Sequence, residues 1–308
     1  MDARYLIGVI MAVIAGLLTQ MGQLLQKKAV NGMSQEAREQ RFMRTLLTSP
    51  LWLSGLILAI VFGTAGYMAA IYLIGPTLVP GLMASGLIVL AVGSVMMNKE
   101  TLGRDEAVGI VFMMMGITLL GMSRLGIPAE QVRAALSDGS VLVRIAVFTL
   151  VLLLLWVSLS LLGGRSSTRK GIIMAFSNGF PFSLSNFWLS PLVAVIGIVL
   201  SGRGTVAQIV IFVLACIILV GVNILGIRQT QVAFKYAQAT NVIPVQQVPI
   251  QICPIFIYFS VFALSAPSRS SIVSILAGVA LIIASGFLLG KRTAPDATAV
   301  SSAMDQAS

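Results

Sequence analysis

Residues 78–98 read LVPGLMASGLIVLAVGSVMMN and residues 242–262 read VIPVQQVPIQICPIFIYFSVF. Neither stretch carries a charge. Each has the roughly 20 residues that an α-helix, rising about 1.5 Å per residue, needs to cross about 30 Å of hydrocarbon. They also read as diverged copies. With Pro80 set against Pro244, Leu78 falls on Val242, Val79 on Ile243 and, upstream, Tyr72 on Tyr236. After a short insertion Gly109 falls on Gly278, and Gly121 on Gly290.

Outward from these two, apolar stretches recur at 6–26, 51–73, 107–123, 141–163, 170–192, 205–227 and 272–290. Composition supports the reading: 57% of residues are hydrophobic, 10% are charged and the mean hydropathy is +0.99, whereas a soluble domain averages about 25% charged residues. The expected fold class is an all-α polytopic membrane protein with about nine transmembrane helices. With 308 residues, nine spans leave no room for a second folded domain.

The two copies are the third and eighth spans. An odd separation gives them opposite directions through the bilayer, so the expectation is an inverted repeat of four plus five spans. Residues 1–124 form the first half, with an amphipathic loop over 28–49, and residues 141–290 form the second half. Residues 291–308 form a disordered cytoplasmic tail, because the stretch from Thr293 onward is small and polar with no apolar period to bury. Inverted halves can exchange conformations and turn a midplane site from one side to the other. The competing explanation is chance similarity between apolar helices.

The charge pattern orients the chain. Six of the 20 Lys and Arg residues (Arg4, Arg124, Arg133, Arg144, Arg203 and Arg269) fall on one face and fourteen on the other. The richer face is expected to be cytoplasmic. The N-terminus is then outside and the C-terminus inside a multi-pass cell (cytoplasmic) membrane protein. A net charge of +10 would suit nucleic acid on a soluble domain, but here the basic residues sit at span ends, so no nucleic-acid partner is expected. The first span lacks a strongly basic start and a small-residue cleavage site, so it reads as a retained helix rather than a signal peptide. Ser34–Thr48 reads as an interfacial helix, with Phe42, Leu46 and Leu47 towards lipid and Arg38, Arg41 and Arg44 opposite.

Reactive chemistry is scarce. The chain has no histidine, and Cys216 and Cys253 lie singly inside spans, so neither a zinc site nor a disulfide framework is expected. None of the ten Asp and Glu residues lies mid-span; Glu100, Asp105 and Glu106 gather between the third and fourth spans beside Lys99 and Arg104. An enzyme is not expected, and neither is a cofactor or resident metal. A side-chain proton relay through the membrane has no carrier.

What does occupy the interior is uncharged and polar. Gln20, Gln23 and Lys27 follow i, i+3, i+7 spacing on one helical face. Gln247 and Gln251 share a face in a stretch punctuated by Pro244, Pro249 and Pro254, and the sixth span carries Ser177, Asn178, Gly179, Pro181, Ser183, Ser185 and Asn186. Prolines free backbone carbonyls that must be satisfied by protein or cavity water, and broken helices often line transport sites. The candidate substrate-binding set is Gln20, Gln23, Asn178, Asn186, Gln247 and Gln251, with Pro181 and Pro244 as hinges. The alternative role for such amides is to glue helices together, at about 0.6 kcal/mol each.

The run from Ile74 to Met122, IGPTLVPGLMASGLIVLAVGSVMMNKETLGRDEAVGIVFMMMGITLLGM, resembles the drug/metabolite transporter (DMT) superfamily. Gln231–Phe262 (QVAFKYAQATNVIPVQQVPIQICPIFIYFSVF) and Gln23–Val30 (QLLQKKAV) resemble its NIPA-like branch. The resemblance implies a transporter moving a small solute by alternating access, with magnesium or another divalent cation as substrate and the lipid bilayer as its setting. It also implies that Glu100 belongs to a structural turn. An EamA-like carrier of a small organic metabolite, and a non-transporting scaffold, are the alternatives. Gly63, Gly66, Gly81, Ala84 and Gly116 permit close helix approach, which suits a compact monomer or a homodimer.

Overall fold

The computed structural model describes residues 3–74, 79–127, 129–162 and 167–290. The expected tail at 291–308 lies outside them, as does Leu78 of the repeat pairing. The described residues contain nine helices long and apolar enough to cross a membrane.

In chain order the elements are α1 (Ala3–Asn31), α2 (Gln35–Gln40), α3 (Phe42–Leu47), α4 (Pro50–Ile74), α5 (Val79–Asn98), α6 (Arg104–Met122), α7 (Ala129–Ala135), α8 (Gly139–Leu161), α9 (Ser167–Leu200), α10 (Val206–Tyr236), α11 (Ala239–Val261) and α12 (Arg269–Gly290). A π-helical turn at Leu58–Phe62 interrupts α4, and another at Ile257–Val261 ends α11. The sequence writes the helix ends. Ser49 caps α4 through the Trp52 amide with Pro50 in the first turn. Thr205 and Gln208 form a reciprocal capping box on α10. Asp138 caps α8 through the Ser140 amide, which holds its carboxyl below the usual carboxylate range.

Ser34 caps α2 as expected of a helix start, but the Ser34–Thr48 segment is two short helices, and its apolar side does not rest on lipid. Phe42 and Leu46 are buried in one core with Trp52, and the Lys235 ammonium sits 4.1 Å from the Phe42 ring centroid. Only Leu47 of the three is exposed.

The packing pattern of the two halves is alike. In the first half α1 packs along α4 and α5, and α5 meets α6; in the second, α9 packs along α10 and α11, and α11 meets α12. The halves join through α6 and α12 by paired contacts. A Cβ on Gly109 would lie 2.8 Å from Leu289 Cγ, and one on Gly278 would lie 3.0 Å from Leu120 Cγ. A Cβ on Gly116 would lie 2.9 Å from the Gly278 carbonyl oxygen, and one on Gly278 3.0 Å from that of Gly116. Ser285 Oγ donates to the Gly109 carbonyl at 2.6 Å. Glycine at these positions lets the two backbones touch, the usual device for helix association in lipid.

The cores divide by height. The largest runs from Leu24, Phe42 and Leu90 of the first half to Phe234, Ile243 and Leu289 of the second. Towards the other end of the bundle, a core of second-half residues around Phe187, Trp188 and Ile211, with Val132 and Leu136 of α7, lies apart from a small first-half core of Ala12, Ala70 and Val79.

Candidate functional site

The helix α9 lies close to α10 at Gly226 and close to α11 at Gly179. A Cβ on Gly226 would meet the Phe182 ring at 3.0 Å, and one on Gly179 would meet the Gln246 carbonyl oxygen and the Pro249 ring, both at 2.6 Å. That approach brings the α9 amide of Asn178 between α10 and α11. Asn178 Nδ2 donates to Thr230 Oγ1 at 2.7 Å, to the Gly226 carbonyl at 2.9 Å and to Gln246 Oε1 at 3.3 Å. With the amide nitrogen committed to these three oxygens, Asn178 Oδ1 is left buried without a hydrogen-bond partner.

Beside this knot, α1, α4, α9, α10 and α11 line a half-open cavity of about 310 Å³, formed by Thr19, Gln23, Gln26, Leu56, Ala59, Ile60, Thr64, Phe182, Asn223, Ile227, Thr230, Gln231 and Gln246. Its polar groups are amides and hydroxyls, with no carboxylate among them. Gln231 Nε2 donates to Gln26 Oε1 at 2.6 Å and ties α10 to α1. Gln23 Oε1 and Gln231 Oε1 are buried with no hydrogen-bond partner. Amide and hydroxyl oxygens accept hydrogen bonds, so a lining of this composition suits an occupant that donates them.

Just past Gln26, Lys27 is buried. Its Nζ donates to the carbonyls of Phe234 and Ala237, the latter at 2.8 Å, at the C-terminal end of α10. Glu100, also buried, accepts from the amides of Ala239 (2.8 Å) and Thr240 (3.3 Å) at the start of α11. A cation on a helix C-terminus and an anion on an N-terminus both complement the helix dipole. Lys99, at φ +54°, makes the left-handed turn that swings Glu100 across. Glu100 is thus a cap for another helix, consistent with the structural turn the resemblance implied. Among the described residues no three Asp, Glu, His or Cys side chains gather in a metal-holding group.

The family model described as Magnesium transporter NIPA matches residues 3–294. The chain belongs to the NIPA magnesium transporter family. It is therefore an integral, multi-pass membrane protein of a transporter family within the DMT/EamA-like superfamily. No curated protein and no solved structure matches it.

Within this NIPA-family chain the sequence-derived candidates separate. Gln23 lines the cavity and Asn178 anchors its wall. Gln20 is buried at the contact between α1 and α5, where a Cβ on Gly86 would lie 3.0 Å from its Cγ. Asn186 is exposed on α9. Gln247 accepts from Gln251 at 3.2 Å, and Gln251 lines a separate cavity of about 180 Å³ with Pro80, Ile117 and Arg124. Pro181 and Pro244 are buried, and α9 and α11 run through them as continuous helix, so the expected interruption of these helices does not occur.

Sequence reading missed Gln26, Thr230, Gln231 and Gln246. Gln229–Gln231 fall beyond the apolar stretch 205–227, whereas α10 continues to Tyr236. Gln229 forms a second buried knot, accepting from Trp156 Nε1 at 2.6 Å and donating to Ser177 Oγ at 2.6 Å, which fastens α8, α9 and α10 together.

Proposed function

We propose that this chain moves magnesium, as a hydrated ion, through the cavity between its two inverted halves, by alternating access and without a coupled proton. The observation that carries the reading is a lining of amides and hydroxyls, from Gln23, Gln26, Thr230, Gln231 and Gln246, in a chamber whose lining holds no carboxylate. Magnesium sheds its waters reluctantly and commonly keeps several. A bare divalent ion would meet a desolvation cost of tens of kcal/mol there. An ion that keeps its waters presents a shell of outward hydrogen-bond donors, which amide oxygens accept. Six waters at about 30 Å³ each occupy about 180 Å³, less than the cavity's volume of about 310 Å³.

Inverted halves are supported by the contacts of α6 with α12. Under the pairing of Gly109 with Gly278, Leu289 corresponds to Leu120 at the same offset, and those residues make the matching contacts Gly109 to Leu289 and Gly278 to Leu120. A pseudo-twofold axis running between the two helices would produce this pattern. The excess of Lys and Arg at the end bearing Lys27 puts that end in the cytoplasm of a cell membrane.

The test is magnesium influx into proteoliposomes by single-site variants. Gln231→Leu and Gln246→Leu are expected to cut influx about tenfold, as removing one hydrogen bond to a charged species, about 1.5–3 kcal/mol, would do. Gln247→Leu is expected to leave it unchanged. The reverse pattern would move the path to the Gln251 cavity. A second reading, a small organic cation, draws on the Phe182 ring in the cavity wall, since aromatic faces attract ammonium groups; saturable amine transport with no magnesium flux would favour it.

A further inference from the structure

The hydrogen bonds between the two halves gather at one end of the bundle. They include Lys27 to Phe234 and Ala237, Gln26 to Gln231, Glu100 to Ala239 and Thr240, and Ser285 to Gly109. All lie towards the C-terminal ends of α1, α5, α10 and α12 and the N-terminal ends of α6 and α11. The apolar cores follow the same rule: the one shared by both halves lies towards this end, whereas near the other end each half keeps its own.

At the opposite end α11 is held by its own half, where Arg144 donates to the Val261 carbonyl at 3.2 Å. The last carbonyls of α10 and the first amides of α11 flank a two-residue turn, Ala237 and Gln238. Lys27 grips one side of that turn and Glu100 the other, and both belong to the first half.

We infer that Lys27 and Glu100 are the two bolts of a gate, and that the chain is held closed at the Lys27 end. Opening towards that end requires the turn at Ala237 and Gln238 to leave both side chains at once. Released, the helix ends would expose unsatisfied carbonyls and amides, so the closed arrangement is favoured until the halves rock. Both residues are positioning residues: neither needs to touch the ion in the cavity. The inference rests on the transport reading only for the identity of what the gate holds back.

The experiment uses the full chain with Cys216→Ser, Cys253→Ser and a reporter Thr64→Cys on the cavity wall, reconstituted in vesicles of known orientation and probed with a membrane-impermeant thiol reagent. With Lys27 and Glu100 intact, labelling is expected from the far end and at least tenfold slower from the Lys27 end. Lys27→Met and Glu100→Gln are each expected to bring labelling from the Lys27 end to within a few-fold of the other side. Lys27→Arg, which keeps charge and donors, should preserve the asymmetry. Rapid labelling from the Lys27 end with both bolts intact overturns the gate without any bolt variant having to fold. Labelling that stays one-sided in folded Lys27→Met and Glu100→Gln overturns it too. Magnesium flux in the same vesicles is read separately: an accessibility switch with no flux in any variant supports the gate and removes the transport reading.

Discussion

Asn178 shows how much one amide does when it has no water to turn to. Its nitrogen serves three oxygens on two other helices, so Asn178→Leu removes one bond from each of Thr230, Gln246 and the Gly226 carbonyl and leaves the bonds of the Thr230 hydroxyl to the other two. Interhelical hydrogen bonds in membranes average about 0.6 kcal/mol with a maximum near 1.7, so the expected loss is about 1–2 kcal/mol of stability, read as a lower Tm in detergent. Asn186→Leu, at an exposed position of the same helix, is expected to stay within about 0.5 kcal/mol of the parent. A comparable Tm loss in both variants would mean that Asn178 contributes no more than a surface amide. The residue types of the site were legible in the sequence, but their rotation was not. Gln246 and Gln247 are neighbours in sequence yet about 100° apart around a helix of 3.6 residues per turn. Only the packing of Gly179 on the α11 backbone settles that Gln246 looks into the cavity and Gln247 away from it.

At the scale of the element, all nine spans were readable from apolar length, and their ends were less so. Arg228 is exposed, and the outward face it closes is apolar through Ile217, Val220 and Ile224. An arginine there can lie along the helix and reach the interface, so it marks the edge of the lipid rather than the end of α10. Eight further residues, about 12 Å at 1.5 Å per residue, carry Gln229, Thr230 and Gln231 into the bundle. The prolines misled in the other direction. They suggested breaks, but α9 and α11 continue through them, and the ring of Pro249 becomes a packing surface for Gly179. Gly179→Val places carbon where the Gln246 carbonyl and the Pro249 ring already lie, 2.6 Å from its Cβ. No flexible side chain can yield there, so a loss of about 1–3 kcal/mol is expected from overpacking, with lower Tm as the readout. A melting temperature equal to that of the parent would mean that α9 and α11 do not touch at this point.

At the scale of the whole molecule, the proposed repeat rests on glycine and proline, whose positions are constrained by geometry. Gly109 and Gly278 align in sequence, and each lies against a leucine of the partner helix. The gate was not legible, because Glu100 and Lys27 act on residues more than 130 positions away and nothing in their spacing names those partners. The chamber is lined by neutral amides and hydroxyls; that lining suits the proposed passage of an ion that keeps its water, and it supplies no carboxylate to carry a proton.

The measurement that bears on this most directly is magnesium influx into proteoliposomes containing the purified chain and an entrapped fluorescent magnesium indicator, under a magnesium gradient with and without a pH gradient. The account expects influx driven by magnesium alone, saturable, and unchanged by the pH gradient. No influx above protein-free vesicles, or influx that appears only with a proton gradient, would contradict it.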